Sequence, residues 1–302
     1  MTLPIHLVFI INEHSRNGKF FSKKLPDIMK SYSLTYEVLK TSKDDSFKKS
    51  AIALLNSLND SSRLIVAGGD GTLNAVITVL ESLNLSTTLG YVPTGSGNDF
   101  ARSHQLSFDY RQAIEQIVHQ EEATILDTLV ISQDDLTLNA INSFGIGLDG
   151  MVNYSLENSK NKKRLGNFSY FATILSAYFS QKSFDVTIKQ NNQIMYFPEV
   201  LLIVCVNHKF FGGGIPIHPQ AVPTDELVNI IIAEKVSFFE LITLLLKVLI
   251  NQSHLSHKKL HSFNGPACTI ILDSHQYGQT DGEWIKVHGN YKIQTKKRAF
   301  WI

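Results

Sequence analysis

Hydrophobic residues in the first third of the chain alternate between two spacings. Short runs of consecutive apolar residues favour buried strands, and segments in which apolar residues recur at helical spacing favour amphipathic helices. Strands that alternate with helices predict a parallel sheet covered by helices on both faces. The predicted strands are IHLVFIIN, LTYEVLKT, RLIVAG and TTLGYVP, and the predicted helices are KFFSKKLPDIMKSY, DDSFKKSAIALLNSL and TLNAVITVLESL.

The pattern changes after about Asp127, where strand-like segments separated by turn residues take over. Only residues 165–181 and 237–250 have the character of long helices there. This predicts a mostly antiparallel β domain with one or two helices. The predicted domains are an α/β domain of residues 1–127 and a β domain of residues 128–290. The strand-like segments are ATILDTLVIS, LTLNAINSFGIG, SFDVTIKQ, QIMYFPEVLLIVCVNH, LVNIIIAEK and ACTIILD.

Length and composition fit a folded protein of two domains. The chain has 302 residues, of which 43% are hydrophobic, and its formal net charge of +1 offers no global attraction for nucleic acid. Cys205 and Cys268 lie in apolar strand-like runs, which favours free buried thiols in a reducing compartment. The apolar N-terminal run is typical of a first strand, and the run Phe238–Ile250 is too short to span a membrane. We therefore expect a cytoplasmic protein that is soluble or peripheral to the membrane.

Residues 68–72 read GGDGT and stand between a predicted strand and a predicted helix. Glycines at such a junction let phosphate groups approach the N–H groups at a helix N-terminus, where the helix dipole favours anions. The spacing matches neither the dinucleotide fingerprint nor a Walker A loop. Because Asp70 would repel a phosphate, a Mg²⁺ ion between the two explains an acid at this position. The alternative is a tight strand–helix turn in which Asp70 caps the helix.

A second glycine turn, PTGSGNDFARS, also follows a predicted strand. It supplies Gly95, Gly97, two hydroxyl groups and the acid Asp99. Ligands of parallel sheets bind at the carboxyl ends of the strands, so two glycine turns at such ends favour a joint site. Asp127 is a third acid that could face the same hydrated Mg²⁺ ion.

Two acidic segments lie in the second half of the chain. QTDGEW is either a hairpin turn or the source of a general base, in which Asp281 or Glu283 takes a proton from a hydroxyl that attacks a phosphoryl group. In HPQAVPTDELVNI, Asp225 could hold a structural cation together with backbone carbonyls. The alternative for Asp225 is a solvated loop acid.

Two further polar segments have a weaker link to chemistry. HLSHKKLH places His254, His257 and His261 at spacings that could line one helix face, which suggests zinc. The lysines among these histidines favour a polar surface or a loop near a membrane instead. KNKKR, residues 160–164, indicates a solvated turn or a contact with anionic lipid.

Four motifs together resemble the diacylglycerol kinase catalytic-domain family, in its soluble bacterial lipid kinase branch. They are GGDGTLNAV, PTGSGNDFARS, AVPTDELVNI and TDGEW, and they occur in the order typical of the family, over essentially the whole chain. The resemblance implies a Rossmann-like N-terminal domain and a C-terminal β-sandwich domain, with the nucleotide between them. It also implies that the last strand, about residues 291–302, returns to the first domain.

The resemblance implies a function as well. The expected reaction is Mg²⁺-dependent transfer of phosphate from ATP to a lipid hydroxyl, with diacylglycerol as the first choice and phosphatidic acid as its product. We expect an apolar groove in the β domain to hold the acyl chains, and peripheral contact with the inner face of the membrane. The alternatives are another acceptor (undecaprenol, a sphingoid base or NAD) or a nucleotide- or lipid-binding regulator without catalysis. A homodimer stays open.

The family's motifs carry site residues over to this chain. The expected ATP contacts are Asn12, Glu13, His14, Ser15, Thr41, Gly69, Asp70, Gly71, Thr72, Leu73, Asn74 and Ser96. Water-mediated Mg²⁺ binding is expected at Asp70, Asp99 and Asp127. The acid pair that contains the catalytic base matches Asp281 and Glu283. A structural Mg²⁺ is expected at Asp225 and the carbonyls of Val222 and Leu227.

Four positions depart from the family's pattern. Glu13 replaces the usual proline, and Ala75 stands where an acid often follows the Leu-Asn pair, so both bear on the nucleotide. Glu226 replaces a glycine, and Asn229 stands where an aspartate is common, so both bear on the structural metal.

Overall fold

The protein is described here by a computed structural model that covers residues 6–32, 34–41, 45–59, 61–158 and 166–302. It separates into two compact units, the first Met1–Leu126 with Lys297–Ile302 and the second Asp127–Lys296. The second unit therefore includes Asp127 and residues 291–296, which the sequence analysis assigns to the first domain. The basic segment of residues 160–164 lies outside the described residues.

The first unit is an α/β domain with a parallel sheet. The sheet order is β2, β1, β3, β4, and Phe300 and Trp301 pair with β4 in parallel. Strand and helix alternate as predicted, and the three inner strands β1, β3 and β4 are buried apolar runs, whereas β2 at the edge of the sheet is largely exposed. The elements are β1 His6–Ile11, α1 Gly18–Met29, β2 Thr35–Lys40, α2 Asp45–Ser57, β3 Ser62–Gly68, α3 Asp70–Ser82, β4 Leu89–Pro93, α4 Asp99–Ser103 and α5 Tyr110–His119.

The second unit is an antiparallel β domain with three helices among its described residues. Its strands follow the order β11, β10, β9, β7, β12, β13, while β8 pairs with both β9 and β12. The elements are β5 Thr124–Gln133, β6 Leu136–Ala140, β7 Ser143–Gly147, α6 Leu148–Asn158, α7 Gly166–Ser180, β8 Phe184–Gln190, β9 Gln193–Val206, β10 Val228–Glu234, α8 Phe238–Ile250, β11 Leu260–Gly265, β12 Ala267–Thr280 and β13 Glu283–Trp301.

Long strands allow this sheet to enclose one hydrophobic core. β12 pairs with β8 over Thr269–Leu272 and with β7 over Gly278–Thr280, and its pairing with β13 is irregular between Leu272 and Gln276. Such irregularities bend strands, so one long strand serves two layers. Buried residues of β7, β8, β9, β10 and β12 form a common core. This arrangement confirms the predicted β-sandwich domain.

One sequence-based prediction for this unit is wrong. The segment LTLNAINSFGIG forms two strands, β6 and β7, instead of one. The histidine segment is not a helix, because His254 lies in a short 3₁₀ turn and His261 lies in β11. His254 bonds the carbonyl of Ile217, and His261 bonds Glu234, so these two histidines have separate partners. Helix α6 was not predicted at all.

The cysteines and helices agree with the sequence analysis. Cys205 and Cys268 are free and buried, and their proximity and burial raise the pKa of the Cys205 thiol. Within the described part of the chain, every helix is too short or too polar to cross a membrane.

The loop before β10 keeps a conformation that usually requires glycine. Glu226 has a φ of +61°, in the left-handed region. Its N–H donates to Oδ2 of Asp127 at 2.7 Å, and its carbonyl accepts from Thr295 at 3.2 Å. These hydrogen bonds hold the turn although glycine has been replaced by a residue with a Cβ atom.

Replacing Glu226 with glycine should therefore stabilise the protein. The left-handed conformation costs a residue with a Cβ atom about 1–2 kcal/mol, and this exceeds the cost of about 0.5–1 kcal/mol for the extra freedom of glycine in the unfolded chain. We expect E226G to raise the free energy of urea unfolding by up to about 1 kcal/mol. E226A is the control, because it removes the charge and keeps the Cβ atom. An equal gain in both variants would contradict this explanation.

Candidate active site

The two glycine turns of the first unit are held together at the carboxyl ends of β3 and β4. The carbonyl of Gly68 accepts hydrogen bonds from Thr94 N at 2.7 Å and Gly95 N at 3.1 Å. A Cβ atom on Gly95 would collide with the Cα atom of Gly69, so glycine is required for this approach. The structure thus brings together the two turns that the sequence analysis assigned to a joint site.

The loop after β1 joins the same edge of the sheet. The side-chain amide of Asn12 donates to Oγ1 of Thr72 at 2.8 Å, and the hydroxyls of Ser15 and Thr94 lie 2.7 Å apart. Asn17 N also donates to the carbonyl of Thr94 at 2.8 Å. Three loops of the first unit therefore form one polar surface, as expected for a nucleotide site at strand ends.

Glu13, which replaces the family's proline, has a partner in this loop. Its carboxylate lies 2.8 Å from Nζ of Lys40 at the end of β2, and the hydrogen bond with Lys40 lowers the pKa of Glu13. The next residue, Thr41, donates its N–H to the carbonyl of Ile11 at 2.9 Å. The departure from proline thus ties the ends of two strands together.

Asp70 holds the N-terminus of a neighbouring helix. One carboxylate oxygen accepts from Asp99 N at 2.9 Å and the other from Phe100 N at 3.2 Å. Gly69 is the N-cap of α3 and Asp70 is its first residue, so Asp70 caps α4 and not its own helix. Asp70 and Asp99 therefore belong to one hydrogen-bonded network.

Tyr91 is a buried residue at this edge of the sheet that is influenced by both acids. Its hydroxyl lies 3.2 Å from the carbonyl of Gly68 and 3.3 Å from Oδ1 of Asn98. Burial and the carboxylates of Asp70 and Asp99 raise the pKa of Tyr91 well above its usual value. Two carboxylates with oxygen-rich surroundings suit a hard cation such as Mg²⁺. Apart from its place in the strand before the second turn, no sequence signal points to Tyr91.

Most positions expected to contact ATP offer accessible surface at this edge. Leu73 is the exception, because it is completely buried on the inner face of α3, and its contact with ATP stays a prediction. Exposed or half-buried are Asn12, Glu13, His14, Ser15, Thr41, Gly69, Asp70, Gly71, Thr72, Asn74 and Ser96.

Asp127, grouped with the second unit, holds the loop of the predicted structural metal site. Its carboxylate accepts from Glu226 N, and its own N–H donates to the carbonyl of Pro223 at 2.7 Å. Asp225 is exposed and accepts from Leu227 N at 3.0 Å, which is a local turn. The described side chains contain no group of three or more His, Cys, Asp or Glu residues that could hold a metal. The structural Mg²⁺, with Val222 and Leu227, therefore stays a prediction.

Asp281 organises the acidic hairpin of the second unit. With Gly282 it forms the two-residue turn between β12 and β13, and both have a positive φ, as in a type I′ turn. Its carboxylate accepts three backbone N–H groups, from Ile141 and Asn142 at 2.8 Å and from Ser143 at 3.1 Å. This turn therefore joins the hairpin to the start of β7.

Glu283, the other member of the acid pair, has an exposed side chain. Desolvation of its carboxyl group and the nearby carboxylate of Glu157 raise the pKa of Glu283. Glu157 lies on α6 with Asn153 and Asp149, at intervals of four residues that place all three along one helix face. A Cβ atom on Gly282 would lie 3.8 Å from Oδ1 of Asn153. The acidic hairpin therefore lies over the polar face of α6.

An apolar cavity of about 110 Å³ lies within the second unit. Its walls come from α6, α7, α8 and β9, and include Ile174, Leu201 and Leu244. Asp149 is the one acid in this lining, and Oδ2 of Asp149 is buried without a hydrogen-bond partner among the described residues. Burial raises the pKa of Asp149 to about 7, although a hydrogen bond with the side chain of Gln279 acts to lower it.

Gln279 connects the cavity acid to the acidic hairpin. Its side chain is buried, donates to Oγ of Ser143 at 3.0 Å and accepts from Gly282 N at 2.7 Å. A Cβ atom on Gly145 would meet both the Gln279 amide and the Asp149 carboxylate, so these groups lie over the same stretch of β7. The sequence analysis missed Asp149 and Gln279. An acid inside the apolar run FGIGLDGM was the available signal for Asp149.

Comparisons with known proteins agree with this geometry. The family model of the diacylglycerol kinase catalytic domain matches residues 6–129, and the model of the YegS C-terminal NAD kinase beta sandwich-like domain matches residues 142–292. A crystal structure titled as a diacylglycerol kinase from Bacillus anthracis has a TM-score of 0.67 at 17% identity and covers 98% of this chain and 94% of its own. That likeness concerns the fold.

Curated relatives are similar over parts of the chain. A protein of Staphylococcus carnosus is 35% identical over 172 residues, which cover 55% of this chain and 52% of that protein. The diacylglycerol kinase of Staphylococcus saprophyticus is 27% identical over 232 residues, which cover 76% of this chain and 72% of that protein. The chain therefore belongs to the diacylglycerol kinase family, with the catalytic-domain match in its first half and the YegS-type β-sandwich match in its second.

Proposed function

We propose that the protein is an ATP- and Mg²⁺-dependent kinase that phosphorylates a lipid hydroxyl, with diacylglycerol as the acceptor. The observation that carries this proposal is the apolar cavity of the second unit, with one buried carboxyl group in its wall. An acyl chain gains free energy by leaving water for such a cavity. The hydroxyl end of the acceptor then meets Asp149 and the polar face of α6.

The first unit is suited to the phosphates of ATP. The N-terminus of α3 and the glycines around Asp70 admit anionic groups close to the backbone. Asp70 and Asp99 are the residues of this unit that would hold Mg²⁺ through water. When bound, Mg²⁺ offsets negative charge on the transferred phosphoryl group. Peripheral contact with the membrane and a cytoplasmic location follow from the lipid acceptor and are part of the proposal.

The two acids of the hairpin are suited to different tasks. Asp281 accepts three backbone N–H groups, and these engage both of its carboxylate oxygens. Glu283 has a raised pKa and an exposed side chain, which suits a group that must accept a proton. We therefore assign the general base to Glu283 and the positioning of the loop to Asp281.

A direct assay tests the proposed function. The protein is incubated with Mg²⁺, labelled ATP and diacylglycerol in detergent micelles, and phosphatidic acid is expected as a labelled product that requires both Mg²⁺ and the lipid. Parallel reactions contain undecaprenol, a sphingoid base or NAD. Transfer to NAD alone, or Mg-ATP binding without transfer to any of these acceptors, would overturn the proposal.

Substitutions of the two hairpin acids should differ in their effects on activity and stability. We expect Glu283→Gln to lower kcat about 10²–10⁴-fold, because the hydroxyl loses its base, with little change in stability. Asp281→Asn should also lower the free energy of unfolding, by about 1–3 kcal/mol, because buried N–H groups lose a charged acceptor. In the wild type, kcat/KM should fall as the pH drops and Glu283 becomes protonated. Because the pKa of Glu283 is raised, this fall should begin at a higher pH than for an ordinary glutamate. Full activity of E283Q would refute the assignment.

Asp149 should make stability depend on pH. Its pKa of about 7 in the folded protein lies above the ordinary 3.8, so its contribution to stability is complete below about pH 4 and is lost as the pH rises through 7. Asp149→Asn cannot ionise and should therefore be more stable than the wild type at pH 8, by on the order of 3 kcal/mol, but not at pH 4. Urea unfolding at both pH values measures this. An equal difference in unfolding free energy between Asp149→Asn and the wild type at both pH values would contradict the raised pKa of Asp149.

A further inference from the structure

Helix α8 carries apolar residues on its outer surface as well as on its inner one. Phe239, Leu246 and Ile250 are 79%, 51% and 78% exposed, and their spacing places them on one side of the helix. Leu249, which is 47% exposed, borders them. A surface helix of a globular domain normally presents polar residues on this side.

The exposed surface continues onto the end of α7. Phe179 is 71% exposed, and its ring centroid lies 5.2 Å from that of Phe238 at the start of α8. The surface is called the outer patch below, and it consists of Phe179, Phe239, Leu246, Leu249 and Ile250. Its five members are among the fourteen exposed large hydrophobic residues of the described chain. A concentration of this kind marks an interaction surface.

The opposite face of the same helix lines the apolar cavity. Leu241, Leu244, Leu245 and Val248 all belong to the cavity wall. Helix α8 is thus a single layer with the proposed acyl-chain cavity on one side and the outer patch on the other. A partner that covers the outer patch also lies directly over the cavity.

The charges around the outer patch favour an anionic partner. Glu240, at the start of α8, is engaged by the Ser237 N-cap and lies 3.8 Å from Lys259, and Glu234 lies 2.7 Å from His261. Three lysines that are close to the patch in sequence form no ion pair with another described residue: Lys182 after α7, Lys247 in α8 and Lys258 after α8. The acids near the patch therefore each have a hydrogen-bonding or basic partner, whereas these lysines add positive charge beside the patch.

We propose that the outer patch docks onto the surface of an anionic lipid bilayer, with α8 lying in the plane of the interface. Apolar side chains then enter the boundary between headgroups and acyl chains, and the lysines face anionic headgroups. A second copy of the chain fits less well, because a two-fold contact would bring the same lysines together. The proposal rests on the proposed function only in that the cavity behind α8 receives a lipid from the same bilayer.

Vesicle binding tests the docking surface directly. The probes are phosphatidylcholine vesicles with and without phosphatidylglycerol, and bound protein is separated by sedimentation. We expect binding to the anionic vesicles, reduced by salt, and a loss of about tenfold or more in the double variant Phe239→Ser with Ile250→Ser, because two apolar anchors are removed. The control is Phe20→Ser with Ile194→Ser, which removes one exposed phenylalanine and one exposed isoleucine elsewhere. Circular dichroism checks that both double variants are folded.

The outcomes separate this inference from the proposed function. The docking variant should still phosphorylate diacylglycerol in detergent micelles, where no bilayer is needed. Wild-type binding to anionic vesicles that the docking variant loses and the control retains supports the inference, even if no lipid is phosphorylated. Unchanged vesicle binding in the docking variant overturns it. An absence of vesicle binding, with a wild-type dimer that dissociates in the docking variant, overturns it in favour of a contact between copies.

Discussion

The polar loops of each unit depend on carboxylates that accept hydrogen bonds from backbone N–H groups. In the first unit Asp70 does this for the start of α4, and in the second unit Asp127 does it for Glu226 and Asp281 for three N–H groups at the start of β7. A buried N–H group without an acceptor costs about 1–3 kcal/mol, and a charged acceptor gives a stronger bond than a neutral one. These acids therefore shape the loops whether or not a ligand is bound, so their replacement changes structure as well as activity.

The sequence predicts the first unit well because its information is local. Each strand of a parallel sheet covered on both faces is a continuous apolar run, and β3 is buried from Leu64 to Gly68. The second unit is harder to predict because distant residues decide where its strands end. LTLNAINSFGIG has the pattern of one strand, yet Asp281, 140 residues away from Ile141, binds N–H groups in its middle and divides it.

The candidate site shows the same contrast between local and distant information. The glycine turns could be predicted because a close backbone approach of the two turns requires glycine at Gly95. Leu73 belongs to the first of these motifs, and its spacing with Val76, Ile77 and Leu80 places it on the buried face of α3. The roles of Asp149 and Gln279 emerge only when α6, β7 and the hairpin are brought together.

In the proposed function, the cavity beside Asp149 binds the acyl chain of the acceptor. A diacylglycerol with a photoreactive group in its acyl chain tests this most directly, when the crosslinked peptides are identified by mass spectrometry. We predict adducts in α8 at Leu244 or Val248 and in α7 at Ile174, all of which line the cavity, and their loss with excess unlabelled diacylglycerol. Adducts that lie away from the cavity, or that persist in the presence of competitor, would contradict the claim.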